Sequence, residues 1–152
     1  MARRQAGQQY GQALTSLCRS PSSTRAEVEF ESTPKLLALN ENGEELHELH
    51  NELPLEWRAE WSDEVDLVVC MTLHRYRKER CYYGGPDIER YQQDYRVMVL
   101  DASTGHVAAT GTIKGDTPGP CLLVTSEFKD IEGSKPEATD LIEWLEGELA
   151  VP

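Results

Sequence analysis

Hydrophobic and polar residues alternate with a period of two along several stretches of this chain, and that period predicts most of its elements. Ala26-Glu27-Val28-Glu29-Phe30-Glu31 alternates strictly, as a half-buried strand does. Pro34 interrupts it, and Lys35 to Leu39 forms a second short strand. Asn40-Glu41-Asn42-Gly43 turns the chain, because Asn and Gly tolerate positive φ. Leu67 to Leu73 is apolar and β-branched enough for a central strand. Arg77 to Tyr83 reads as its hairpin partner, with the turn between Arg75 and Tyr76 and the end at Gly84-Gly85-Pro86. Tyr91, Gln93, Tyr95, Val97 and Val99 line one face of a long strand. Asp101-Ala102-Ser103-Thr104-Gly105 is a hairpin signal, with Gly105 at the left-handed position. Val107, Ala109, Gly111 and Ile113 alternate on the return strand.

A helical period governs the two ends. Tyr10, Leu14 and Leu17 are spaced for a short helix within 4–17, which Gly7 and Gly11 weaken. A second short helix fits near 54–64. Ser134-Lys135-Pro136-Glu137 has the form of a capping box. Behind it, Ala138, Leu141, Ile142, Leu145 and Leu149 make an apolar stripe with Trp144 at its edge. Together these predict an α+β fold: an antiparallel β-meander, a C-terminal helix packed on one face and a short N-terminal helix. Residues 1–25 read as a helix and loop extension and 26–152 as one domain, a division that suits a chain of 152 residues.

Charge divides the chain further. The formal net charge is −12, which disfavours nucleic acid or an anionic membrane as a partner. Residues 41–66 carry ten acids against Arg58 alone, while 74–96 hold six bases against four acids. Solvated faces of differing sign account for such segments. No run approaches the eighteen apolar residues of a membrane span. Arg3 and Arg4 have no apolar segment behind them, so the sequence reads as cytoplasmic.

Candidate chemistry is sparse. The four cysteines, Cys18, Cys70, Cys81 and Cys121, form no C-x-x-C pair. A turn at Arg75–Tyr76 would set Cys70 opposite Cys81, which makes them disulfide candidates; in a cytosolic protein such thiols are usually reduced. His47 and His50 lie three apart among carboxylates, a weak candidate pair for metal, one residue short of the metalloprotease spacing. No phosphate-binding loop or nucleophile elbow is present, and no cofactor is indicated. The densest feature is a mixture of tyrosine and arginine: Arg75, Tyr76, Arg77, Tyr82, Tyr83, Arg90, Tyr91 and Tyr95. Both residue types are enriched where proteins bind one another, whereas tyrosines are also common in strands for packing alone.

The chain also resembles a bacterial module over roughly residues 35–149. The shared pattern comprises Leu53-Pro54-Leu55-Glu56-Trp57-Arg58, Leu67-Val68-Val69-Cys70, Cys81-Tyr82-Tyr83, Arg90-Tyr91-Gln92, Thr104-Gly105-His106-Val107-Ala108-Ala109-Thr110 and Cys121. The resemblance implies an antiparallel α+β module with an accessory or recognition role, and brings no activity or catalytic residue with it. It also implies exported relatives in which Cys70, Cys81 and Cys121 would be oxidised. The function expected from all this is a non-catalytic protein-binding or regulatory module of a bacterial signalling or defence system, its partner another protein. The alternatives are a small metal-dependent hydrolase using His47 and His50, and an acidic mimic of nucleic acid presenting residues 41–66.

Overall fold

A computed structural model describes residues 6–83, 87–121 and 129–149. The expected meander is there at the centre. Strand β3 (Leu67–Cys81) pairs antiparallel with β4 (Ile88–Asp101), and β4 pairs antiparallel with β5 (His106–Ile113). The rest of the sheet departs from a meander, since β1 (Ser22–Arg25), β2 (Leu36–Asn40) and β6 (Ile131–Glu132) add in parallel to β5, β3 and β4. The sheet is therefore mixed, in the order β1-β5-β4-β3-β2 with β6 on β4. A hairpin is a local signal in the sequence; a parallel pair joins distant segments and leaves no such mark.

Helix α1 (Ala6–Tyr10), helix α2 (Gln12–Thr15) and a 3₁₀ turn at Ser16–Cys18 cover one face, with Ala6, Tyr10 and Cys18 packed on Leu37, Leu39, Val68, Cys70 and Leu100. Helix α3 (Ala138–Leu149) covers the other, its buried stripe of Ala138, Leu141, Leu145 and Leu149 meeting Leu67, Val69, Val97 and Val99. Ile142 and Trp144 pack at its margin, as the helical period requires. A Cβ on Gly111 would lie 2.7 Å from the Trp144 ring, so the glycine lets α3 seat closely on β5. The segment read as an extension thus supplies core side chains and a strand. Val28 and Phe30 do pack against the core, but 26–30 forms no strand; pairing with β5 ends at the Ala26 N–H on the Val107 carbonyl.

Three other expectations change. Helix α3 begins after the expected capping box: the Asp140 carboxylate accepts the Glu137 amide at 2.7 Å, so the reciprocal cap lies three residues downstream. The 54–64 helix reduces to a 3₁₀ turn at Ser62–Glu64. And β3 does not turn at Arg75–Tyr76, because neither residue favours a turn and each has a ladder partner on β4. The hairpin closes beyond Cys81, with 84–86 outside the described residues.

Moving that turn re-pairs the cysteines. Cys70 faces Met98 and Cys81 faces Ile88, so the two cannot meet. Cys18 bonds Cys70 and Cys81 bonds Cys121, leaving no free thiol in place of the reduced cysteines expected. The first bridge ties the N-terminal helices to β3, and the second ties the segment after β5 to the far end of β3. No helix among the described residues is long and apolar enough to cross a membrane.

Candidate functional site

The tyrosine–arginine concentration does not form one surface. Tyr95, 2% exposed, belongs to the core under α3, and its hydroxyl donates to Glu48 at 2.7 Å. Burial and that carboxylate push the Tyr95 hydroxyl's pKa well up. Tyr91 lies under Arg75, whose guanidinium carbon is 3.5 Å from the ring centre, and its hydroxyl binds Glu89. Tyr76, on the opposite face, stacks on His74 with ring centres 5.1 Å apart. Tyr82 is exposed, whereas the Tyr83 hydroxyl is buried with no hydrogen-bond partner among the described residues.

The arginines face acids of their own chain. Arg75 Nε donates to Glu132 at 2.9 Å, and Arg77 and Arg80 both reach Glu89, at 3.1 and 3.2 Å. Arg90 pairs with Glu79 and donates to the Pro118 and Gly119 carbonyls. Hydrogen bonds from Tyr91, Arg77 and Arg80 hold the Glu89 carboxyl near a pKa of about 2, so it stays ionised. The distal hairpin is therefore an internally neutralised lattice rather than an open basic patch.

An opening of about 860 Å³ lies between the 40–51 segment and β3, with His47 and, alone of the tyrosine–arginine set, Tyr95 in its wall. Its wall carries Glu41, Glu45 and Glu48, the amides of Gln9, Asn40, Asn42 and Asn51, and the apolar Leu46, Met71 and Leu73. Lys135 is the one lysine or arginine among the described residues of that wall, 3.8 Å from Glu48. Glu41 accepts from Thr72 Oγ1 at 3.2 Å, and Glu45 accepts from Asn40 at 3.4 Å.

The turn that brings these carboxylates together follows from the sequence. Asn42 accepts the Glu44 amide at 3.0 Å, and Gly43 adopts φ of 76°. A Cβ on Gly43 would come 1.8 Å from the Thr15 carbonyl oxygen, so only glycine lets the turn press against α2. After the turn, Leu46 bridges back to Leu39 and the His47 amide donates to the Ala38 carbonyl at 2.9 Å.

His50 holds the segment from beneath. It is 1% exposed; its Nδ1 accepts the Ala38 amide at 3.1 Å, and Nε2 faces the Ala59 carbonyl at 3.2 Å and the Tyr10 hydroxyl at 3.3 Å. Since Nδ1 accepts, the proton sits on Nε2 and the ring is neutral. Burial lowers its pKa to about 4. His47 uses Nδ1 to accept the Leu49 amide and sets its ring edge-on to Tyr95, 4.7 Å between centres. Burial depresses its pKa as well. The two imidazoles thus act as acceptors for the backbone of different elements. Among the described residues, no group of three or more His, Cys, Asp or Glu side chains is arranged to hold a metal.

Sequence reasoning took Glu41, Glu45 and Glu48 as one acidic stretch but missed Asn51, Thr72, Leu73 and Lys135. Only the last of these carries a charge, and they come from separate parts of the chain, the turn at His50–Glu52, β3 and the segment before α3, that the fold brings to one opening. No family model, curated protein or solved structure matches the chain.

Proposed function

We propose that the chain is a non-catalytic binding module that holds a cationic segment of another protein in this cleft. One observation carries the reading: three carboxylates and four side-chain amides border an apolar-floored opening with a single lysine among them. Carboxylates accept from lysine or arginine, amides serve the neighbouring backbone, and Leu46, Met71 and Leu73 offer surface to aliphatic stems. The Tyr/Arg region, where a partner was expected from composition, serves here as a self-paired arm beside the site. The two disulfides support work in an oxidising compartment rather than the cytoplasm.

Calorimetric titration with a blocked hexalysine peptide tests this. Glu41→Gln/Glu45→Gln/Glu48→Gln should weaken binding about tenfold or more. The same change of charge on α3, Glu143→Gln/Glu146→Gln/Glu148→Gln, should weaken it far less. Equal losses would reduce the effect to net charge and overturn the reading.

A further inference from the structure

We infer that the cleft takes its occupant by strand addition: an extended, lysine- or arginine-bearing segment of the partner protein lies along the free edge of β3, in line with β2. This rests on the reading of the cleft as a site for cationic protein segments. Strand β2 pairs with β3 only from Leu36 on Leu67 to Asn40 on Met71. There it turns away through Gly43, while β3 runs on to Cys81. Among the described residues, nothing pairs with that side of β3 beyond Met71.

The phase of the ladder says which groups are free. In an antiparallel pair, opposed residues alternate between exchanging hydrogen bonds and directing them outward. The Ala102 amide donates to the Asp66 carbonyl at 3.0 Å, which sets the bonded positions at Asp66, Val68, Cys70, Thr72, His74 and Tyr76. Leu67, Val69 and Met71 therefore turn toward β2, and the Leu67 amide accordingly reaches the Lys35 carbonyl. Leu73 and Arg75 continue that series with no strand beside them. Their N–H and C=O groups face the open edge, and Leu73, 43% exposed, lines the cleft itself.

Both ends of this edge are bounded. Asn40 closes one, and the register shift between Arg77 and Glu79 breaks the other, as bulges do on edges that must not pair freely. What remains, Thr72 to Arg77, spans roughly 20 Å at about 3.3 Å per residue. A second copy of this chain is a poor occupant, because its own edge arginines, Arg75 and Arg77, are already paired with Glu132 and Glu89 and bring no cation to the cleft carboxylates. A basic strand instead meets Glu41 beside Thr72 and Glu48 beside Tyr95, one carboxylate toward each sheet face. In strand addition the main-chain bonds give affinity and the alternate side chains give selection.

The test uses a blocked peptide alternating lysine and valine, and two analogues N-methylated on one or the other set of alternate amides. One analogue should bind the native protein about tenfold more weakly than the parent, and the other nearly as well. Leu73→Pro removes an N–H that faces the cleft and leaves the β4 ladder intact. It should weaken the parent peptide about tenfold relative to Leu73→Ala, with an unchanged circular dichroism spectrum. If both analogues bind like the parent, strand addition is overturned and the cation reading stands. If the parent peptide does not bind at all, the cation reading falls with it.

Discussion

The two halves of β3 are made of one continuous strand and held by different physics. From Leu67 to Met71 every residue is buried, with β2 on one side, β4 on the other and helices over both faces. From Thr72 to Arg80 no residue is fully buried, the β2 side is open, and the side chains are held by Arg–Glu pairs and the stacking of Arg75 on Tyr91. Apolar burial is proportional to area and is not screened by ions, whereas exposed ion pairs contribute little and are screened. Stability therefore resides in the base and adaptability in the arm. The cleft lies where the two meet.

The largest effect that would sharpen this contrast is loss of the base disulfide. Cys18→Ala/Cys70→Ala, a crosslink of sequence separation 52, should cost about 4 kcal/mol on chain-entropy grounds. Denaturant unfolding measures it. Cys81→Ala/Cys121→Ala, with a separation of 40, should cost nearly as much on the same grounds and, beyond that shared loss, speed amide exchange more from Arg77 to Cys81 than in the base. Equal exchange in both halves would break the comparison. Next, Leu145→Ala empties a fully buried position and should cost about 3 kcal/mol, read as a shifted denaturation midpoint.

Acidification probes the join between base and cleft. The folded pKa of His50 is depressed from 6.5 to about 4, so between those values the unfolded chain binds the extra proton. Its contribution is fully present above pH 6.5 and is lost as pH falls toward 4, by roughly 3 kcal/mol at the limit. His47 shifts in the same direction and adds to the loss. Stability measured across that window should fall, and more steeply in the native protein than in His50→Gln. The smallest expected effect is that of Arg75→Ala: faster exchange in the arm, a base unchanged within error, and a difference that shrinks in high salt.

How much of this was legible in the sequence depended on how far each signal reached along the chain. The β4–β5 hairpin, the Asn40–Gly43 turn and the α3 stripe are set by residues within a few positions of one another, and the local pattern showed them. The hairpin turn was misplaced because β3 changes from apolar to charged at Leu73, and a change of environment resembles a change of element. That shift alone led to the pairing of Cys70 with Cys81. The parallel strands and the true disulfides join segments far apart in the chain, from Leu36 on Leu67 to Ser22 on His106, and nothing local marks them. The cleft was half legible: its carboxylates stood out as a charge run, but their companions Thr72, Leu73 and Lys135 come from elements that only the fold brings near.

The most direct test of the division between base, cleft and arm is a residue-resolved amide shift map on titration with the lysine–valine peptide. The expected result is a continuous set of shifts over residues 40–51 and 71–75, with Leu73 and Arg75 among the largest and little change from Arg77 to Tyr91. Shifts centred on Arg77, Arg80, Arg90 and Tyr91, with the 40–51 amides still, would contradict it.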